Sequence, residues 1–148
     1  MDSAQLFGAV TELMAQSDLH CRWTVHDLHR LTAAPLQLGQ FIAFFSAGQL
    51  TGWFTWANLT AEAEAGFIDG ARKLQAWDWN GGDYSRVWII DGLAPNGGMP
   101  RMARAVRRML SEAAKAGNWP ARHAKWLRRH DDSSLRHVGT TKGTFNER

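Results

Sequence analysis

Residues 87–117, VWIIDGLAPNGGMPRMARAVRRMLSEAAKAG, decide the fold. The first eight are apolar throughout except for Asp91, which is how a strand buried inside a sheet reads. Pro95-Asn96-Gly97-Gly98 breaks that strand, and Pro100 then opens a helix striped with Met102, Val106, Met109 and Leu110. Gly117 ends it. A strand, a glycine turn and a long amphipathic helix in direct succession predict a mixed α/β domain, with the helix folded back onto the sheet.

Working outward, AKWLRR (124–129) and LRHVG (135–139) predict a last pair of strands joined by Asp131-Asp132-Ser133-Ser134, with a frayed tail over 140–148. Upstream, residues 40–59 predict two aromatic-rich strands about the turn Ser46-Ala47-Gly48-Gln49. Asn58-Leu59-Thr60 offers a helix cap, Glu62 and Glu64 suit the first turn, and that helix is expected to run to about Gln75. Asn80-Gly81-Gly82-Asp83 is a turn. Leu6, Val10 and Leu13 predict an N-terminal helix over 4–15. A second helix is expected to start at Thr24, carry Val25, Leu28 and Leu31 on one face, and stop at Pro35.

The 148 residues suit a single domain, 1–148, with no repeat or linker. One cysteine excludes an internal disulfide and fits a reducing compartment. No basic leader precedes an apolar run, and no apolar stretch is long enough to span a bilayer, so a cytoplasmic location with no membrane span is expected. Charge is divided unevenly. Residues 1–100 carry 5 basic and 10 acidic side chains, net −5, whereas 101–148 carry 12 and 4, net +8. The basic third predicts an anionic partner.

The turn at Gly97 and Gly98 exposes backbone N–H groups at a helix start, with Arg101 and Arg104 in the first turns, which suits a phosphate. The following residues do not complete a P-loop. Asp91 costs desolvation in an apolar strand unless something pairs with it. His20 lies in a polar break beside Cys21, Arg22 and Trp23, where a carboxylate could orient it as a base. His26 and His29 lack the companions of a metal site, and none is expected. Arg107, Arg108, Arg122, Lys125, Arg128 and Arg129 form a basic surface that a solvated face would also explain.

Four stretches then act together: Ser17-Asp18-Leu19-His20-Cys21-Arg22-Trp23, Thr55-Trp56-Ala57-Asn58-Leu59-Thr60, Asp78-Trp79-Asn80-Gly81-Gly82-Asp83, and Trp88-Ile89-Ile90-Asp91-Gly92-Leu93-Ala94-Pro95 leading into Asn96-Gly97-Gly98. In their order and approximate spacing, over residues 10–110, the chain resembles the toxin-activating lysine acyltransferases that activate haemolysin-type RTX protoxins. The resemblance implies a GNAT-like fold, a central sheet with helices on both faces. It implies transfer of a fatty acyl group from acyl carrier protein to internal lysine ε-amines of a protoxin in the cytoplasm. No permanently bound cofactor is implied, the donor being the carrier's phosphopantetheine thioester. The resemblance also suggests a homodimer.

The resemblance puts the family's catalytic histidine on His20 and its aspartate on Asp91, with the serine three residues earlier on Ser17. Ser17, Trp23 and Asn58 are expected to position substrate. Gly97, Gly98, Arg101, Arg104 and Arg128 are expected to meet the donor. Arg128 stands for the family's late arginine, with Arg122 and Arg129 as competitors. Direct transfer with His20 as base and an acyl-histidine route both remain open at this stage. The alternative is a non-catalytic, basic, Trp-rich binding module on the same fold, contacting nucleic acid or a partner protein. An ordinary acetyl-CoA enzyme ranks lower, because the glycine turn lacks the fuller pattern expected there.

Overall fold

The computed structural model describes the backbone of residues 1–119, 123–129 and 135–140, with side chains through Leu127 within those ranges. The turn expected at 131–134, Arg122 and the tail from 141 onward lie outside the described residues, as do the side chains of Arg128 and Arg129.

Five strands form one sheet in the order β1 (Phe41–Ser46), β2 (Gln49–Asn58), β3 (Val87–Leu93), β4 (Lys125–Arg129), β5 (Leu135–Thr140). All neighbours are antiparallel except β3 and β4. The hairpin forms where expected, since Ala47 and Gly48 both take positive φ, 48° and 78°. Such a two-residue turn matches the right-handed twist of the strands it joins.

Helices cover both faces. On one, α5 (Met99–Lys115) packs Met102, Val106, Leu110 and Ala114 against Phe54 and Val87. On the other, α1 (Ser3–Met14) lays Val10, Leu13 and Met14 on Trp53 and Leu93. Beside it, Ala63 of α4 (Ala61–Asp69) joins Ala57, Leu59, Trp79 and Trp88. Trp53, Trp79 and Trp88 are fully buried. At roughly 25 cal/mol per Å² and about 150–250 Å² per aromatic, each contributes at most about 4–6 kcal/mol. Trp77, by contrast, is 74% exposed.

Two expectations are corrected. The helix from Thr60 stops at Asp69 rather than near Gln75, because Gly70 adopts a left-handed cap with φ 70°. The segment from Thr24 does not stop at Pro35. It runs from α2 (Val25–Leu28) through a π-helical turn (His29–Ala33) into α3 (Ala34–Leu38), with Pro35 in the first turn of α3. The Ala34 N–H reaches back five residues to the His29 carbonyl. The widened turn makes room for a ring that would clash in a regular helix.

That segment is fastened to the loop before β3. The buried Arg30 donates to the Leu74 carbonyl at 3.0 Å and to Asp27 at 2.8 Å, and Trp79 Nε1–H donates to the Arg30 carbonyl at 2.7 Å. The Thr24 N–H, followed by Arg30, holds the Asp27 carboxyl down at about 2. A depressed folded pKa gives stability that is present above the ordinary value near 3.8 and is lost as pH falls toward 2. Asp27→Asn should therefore unfold at lower urea than wild type at pH 7. Equilibrium unfolding measured across pH should show that gap closing between about pH 4 and pH 2.

Candidate active site

The site is set by an irregularity in the middle of the sheet. Thr55 of β2 pairs with Asp91, but the next residue, Trp56, pairs with Ile89, so β3 carries one extra residue at Ile90. In an unbroken strand, Asp91 would share a face with Val87 and Ile89, under α5. The extra residue reverses the alternation, and Asp91 takes the face of its rung partner Thr55. That face is the one covered by α1 to α3. Gly92 follows, and a Cβ there would lie 2.8 Å from the Phe54 ring, so the bulge closes down on an aromatic that only glycine admits.

His20 arrives from the other layer, at the head of a single 3-10 turn (His20–Arg22) after α1. Its ring is buried, and Nε2 lies 2.9 Å from both Asp91 oxygens. Nδ1 lies 2.7 Å from Ser17 Oγ, which also accepts the His20 backbone N–H at 3.3 Å. Trp23 leans on the ring at 4.7 Å between centroids, tilted by 47°. The hydrogen bonds fix the tautomer. A carboxylate offers only lone pairs, so Nε2 must carry a proton and donate it. Nδ1 of a neutral ring is then the free base, and it accepts from the Ser17 hydroxyl. Because Ser17 is half-exposed, it forms the solvent side of the ring.

Beside Asp91 the sheet opens. β3 and β4 pair only at Trp88↔Lys125 and Ile89↔Trp126, then diverge. A cleft of about 390 Å³ occupies the gap, lined by Phe54, Asp91, Met99, Ala103, Val106 and Trp126 among others. That volume is within the usual range for small-molecule sites, about 300–1,000 Å³. Its closed end is held by Glu64, which accepts from Trp88 Nε1–H at 2.6 Å and lies 3.9 Å from Lys125 Nζ. Arg107 stands at the wall, its guanidinium 5.9 Å from the Trp126 ring centre.

The structure thus brings Ser17, His20, Trp23 and Asp91 together. Gly97 and Gly98 form the left-handed turn and cap ahead of α5. Arg101 and Arg104 do not line the cleft but turn toward the β1–β2 hairpin. Asn58 is not brought to His20. It is buried at the Val87 rung, where its amide donates to Asn80 and Gly82 and accepts from the Tyr84 N–H, bracing the turn before β3. In the sequence, Arg107 reads only as part of a general basic face. The signal that would have separated it is helical spacing, since Met99, Ala103, Arg107 and Leu110 share a side of α5. Among the described residues, no group of three or more His, Cys, Asp or Glu could hold a metal, and no helix is long and apolar enough to cross a membrane.

A family profile, that of the RTX toxin acyltransferase family, matches residues 1–140. The chain belongs to this family. Among similar curated proteins, protein-lysine palmitoyltransferase CyaC of Bordetella bronchiseptica is 36% identical over 111 residues, covering 75% of this chain and 58% of CyaC. The RTX-II toxin-activating lysine-acyltransferase ApxIIC of Actinobacillus pleuropneumoniae is 31% identical over 103 residues, 70% of this chain and 63% of its own. Protein-lysine myristoyltransferase HlyC of Escherichia coli is 31% identical over 109 residues, 73% and 62%. The match to this RTX toxin acyltransferase family member therefore spans about three fifths of the relatives' length.

The tautomer is directly measurable. In ¹⁵N spectra of histidine-labelled protein, the neutral form of His20 should show a protonated Nε2 and an unprotonated Nδ1. Asp91→Asn should remove that preference, because an amide can donate as well as accept.

Proposed function

We propose that the chain is a protein-lysine fatty acyltransferase that moves an acyl group from acyl carrier protein to internal lysine ε-amines of an RTX-type protoxin. The observation that carries this reading is the hydrogen-bonded Ser17–His20–Asp91 chain, whose imidazole is buried and whose Asp91 end lines an apolar cleft in a splayed sheet. Family membership supports the reaction class, and a GNAT-like architecture is consistent with the splay between parallel strands beside a long helix.

A lysine ammonium, with pKa about 10.4, must lose a proton before it can attack a thioester. The amine nitrogen then bonds to the carbonyl carbon, the carbon–sulfur bond breaks, and the thiolate leaves and is protonated. His20 Nδ1 takes the proton from the amine, through the Ser17 hydroxyl that touches it. Asp91 holds the opposite nitrogen and stabilises the imidazolium that forms. Such base catalysis is worth about 10²–10⁴ in rate.

The geometry favours this role over an acyl-histidine. Nε2 donates to a carboxylate and Nδ1 is capped by Ser17, so neither nitrogen presents an open lone pair to a thioester. Beyond Ile89 and Trp126 the facing edges of β3 and β4 have no partner strand among the described residues and suit the amides of a pantetheine arm, while the apolar lining suits its thioester end or the acyl chain. Arg107, at the cleft wall, suits the arm's phosphate, and the carrier protein's acidity suits the basic helix.

The test is intact-mass analysis of a candidate protoxin incubated with this protein and acyl-loaded carrier protein. Wild type should add a fatty-acyl mass to lysine. His20→Ala should lose at least about 10²-fold in rate, and Ser17→Ala less, if it relays a proton rather than forming a bond. Full activity in folded His20→Ala would overturn the mechanism.

A further inference from the structure

Helix α5 separates two grooves. Its Ala103, Val106, Arg107 and Leu110 face the cleft beside Asp91, whereas Arg101, Arg104 and Arg108 line a second groove against the β1–β2 hairpin. This second groove holds about 500 Å³ and is lined by Phe44, Phe45, Ser46, Thr51 and Met102 besides the arginines. Its floor is tight. A Cβ on Gly52 would come within 2.1 Å of the Met102 sulfur, so the missing side chain lets the helix seat directly on the hairpin. At the rim, Phe45 is 49% exposed.

The three arginines recur at three- and four-residue steps, which puts them on one face. All are exposed, and among the described residues none has a carboxylate within 4.0 Å. Arg101 and Arg104 also sit in the opening turns of α5, where the helix dipole opposes positive charge. The arrangement is unfavourable for the isolated chain and favourable once an external anion lies along it. The shape of that anion follows from the spacing. Seven residues of helix spread the charges over about 10 Å, too far for one phosphate and suited to a row of carboxylates. Phe44, Phe45 and Met102 add an apolar seat beneath them, as an amphipathic helix requires.

We propose that this groove docks an acidic amphipathic helix of the protein that carries the acyl thioester, separately from the cleft in which the thioester reacts. The inference rests on the acyltransferase reading and adds the surface by which the donor is recognised. Recognition and chemistry would then lie on opposite sides of one helix, and rim charges would govern encounter and salt dependence rather than turnover.

The experiment uses two donors, palmitoyl-loaded carrier protein and palmitoyl-pantetheine, together with direct binding of the carrier protein measured by calorimetry at low and high salt. Variants are Arg108→Glu and a triple Arg→Gln at 101, 104 and 108, with folding checked by circular dichroism. Wild type should bind the carrier protein in a salt-sensitive manner. Arg108→Glu should weaken binding and carrier-dependent transfer about tenfold while leaving transfer from palmitoyl-pantetheine unchanged. The triple variant should bind more weakly still.

Equal binding by wild type and variants would overturn the proposal, as would absence of binding by wild type. So would a parallel loss of transfer from both donors, or displacement of the carrier by duplex DNA at equal strength. If wild type transfers from neither donor while binding and its arginine dependence persist, the acyltransferase reading fails and the groove stands.

Discussion

A carboxylate in the middle of an apolar strand needs a partner, and the architecture around the site follows from supplying one. Asp91 is mostly buried, with a side chain only 13% exposed, and His20 meets both its oxygens across the layer between sheet and helices. Neither group reaches the other in a regular strand. The extra residue at Ile90 turns Asp91 toward His20, and Gly92 lets the bent strand lie on Phe54. The short turn after α1 then presents the imidazole with its second nitrogen already on Ser17. Removing one partner would leave the other buried and unpaired, which typically costs more than the pair gains.

The opening beside the pair lies at the same level of β3. Strands β3 and β4 share only two rungs, at the end where Glu64 clamps Trp88 and Lys125, and part at the level of the bulge. The apolar wall of α5 and strand edges with no partner strand among the described residues thus lie beside the Asp91–His20 pair.

Much of this was legible in the sequence. The apolar run 87–94, the proline and glycine that bracket the long helix, and the Ala47–Gly48 turn each obey a local rule, and each element formed. His20 and Asp91 drew attention as a histidine in a polar break and a charge in an apolar strand, and the resemblance joined them across 71 positions. What stayed hidden depends on tertiary geometry. A bulge leaves no mark in a run as uniformly apolar as Trp88-Ile89-Ile90. Pro35 reads as a stop because a π turn that absorbs it has no composition of its own. Asn58 looked like a site residue because it lies in a matched stretch, yet its amide is spent on the turn that delivers β3. Arg101, Arg104 and Arg107 look alike in the sequence, and only the position of the hairpin and the splay assigns them to different grooves.

The claim that most needs testing is that His20 moves a proton and never carries the acyl group. Rapid-quench mixing of the protein with acyl-loaded carrier protein and protoxin, read by intact mass and peptide mapping of both proteins, observes this directly. The account predicts acyl-lysine appearing on the protoxin with no acylated form of this protein at any time. An adduct on His20 or Ser17 that forms and decays fast enough to account for the product would contradict it.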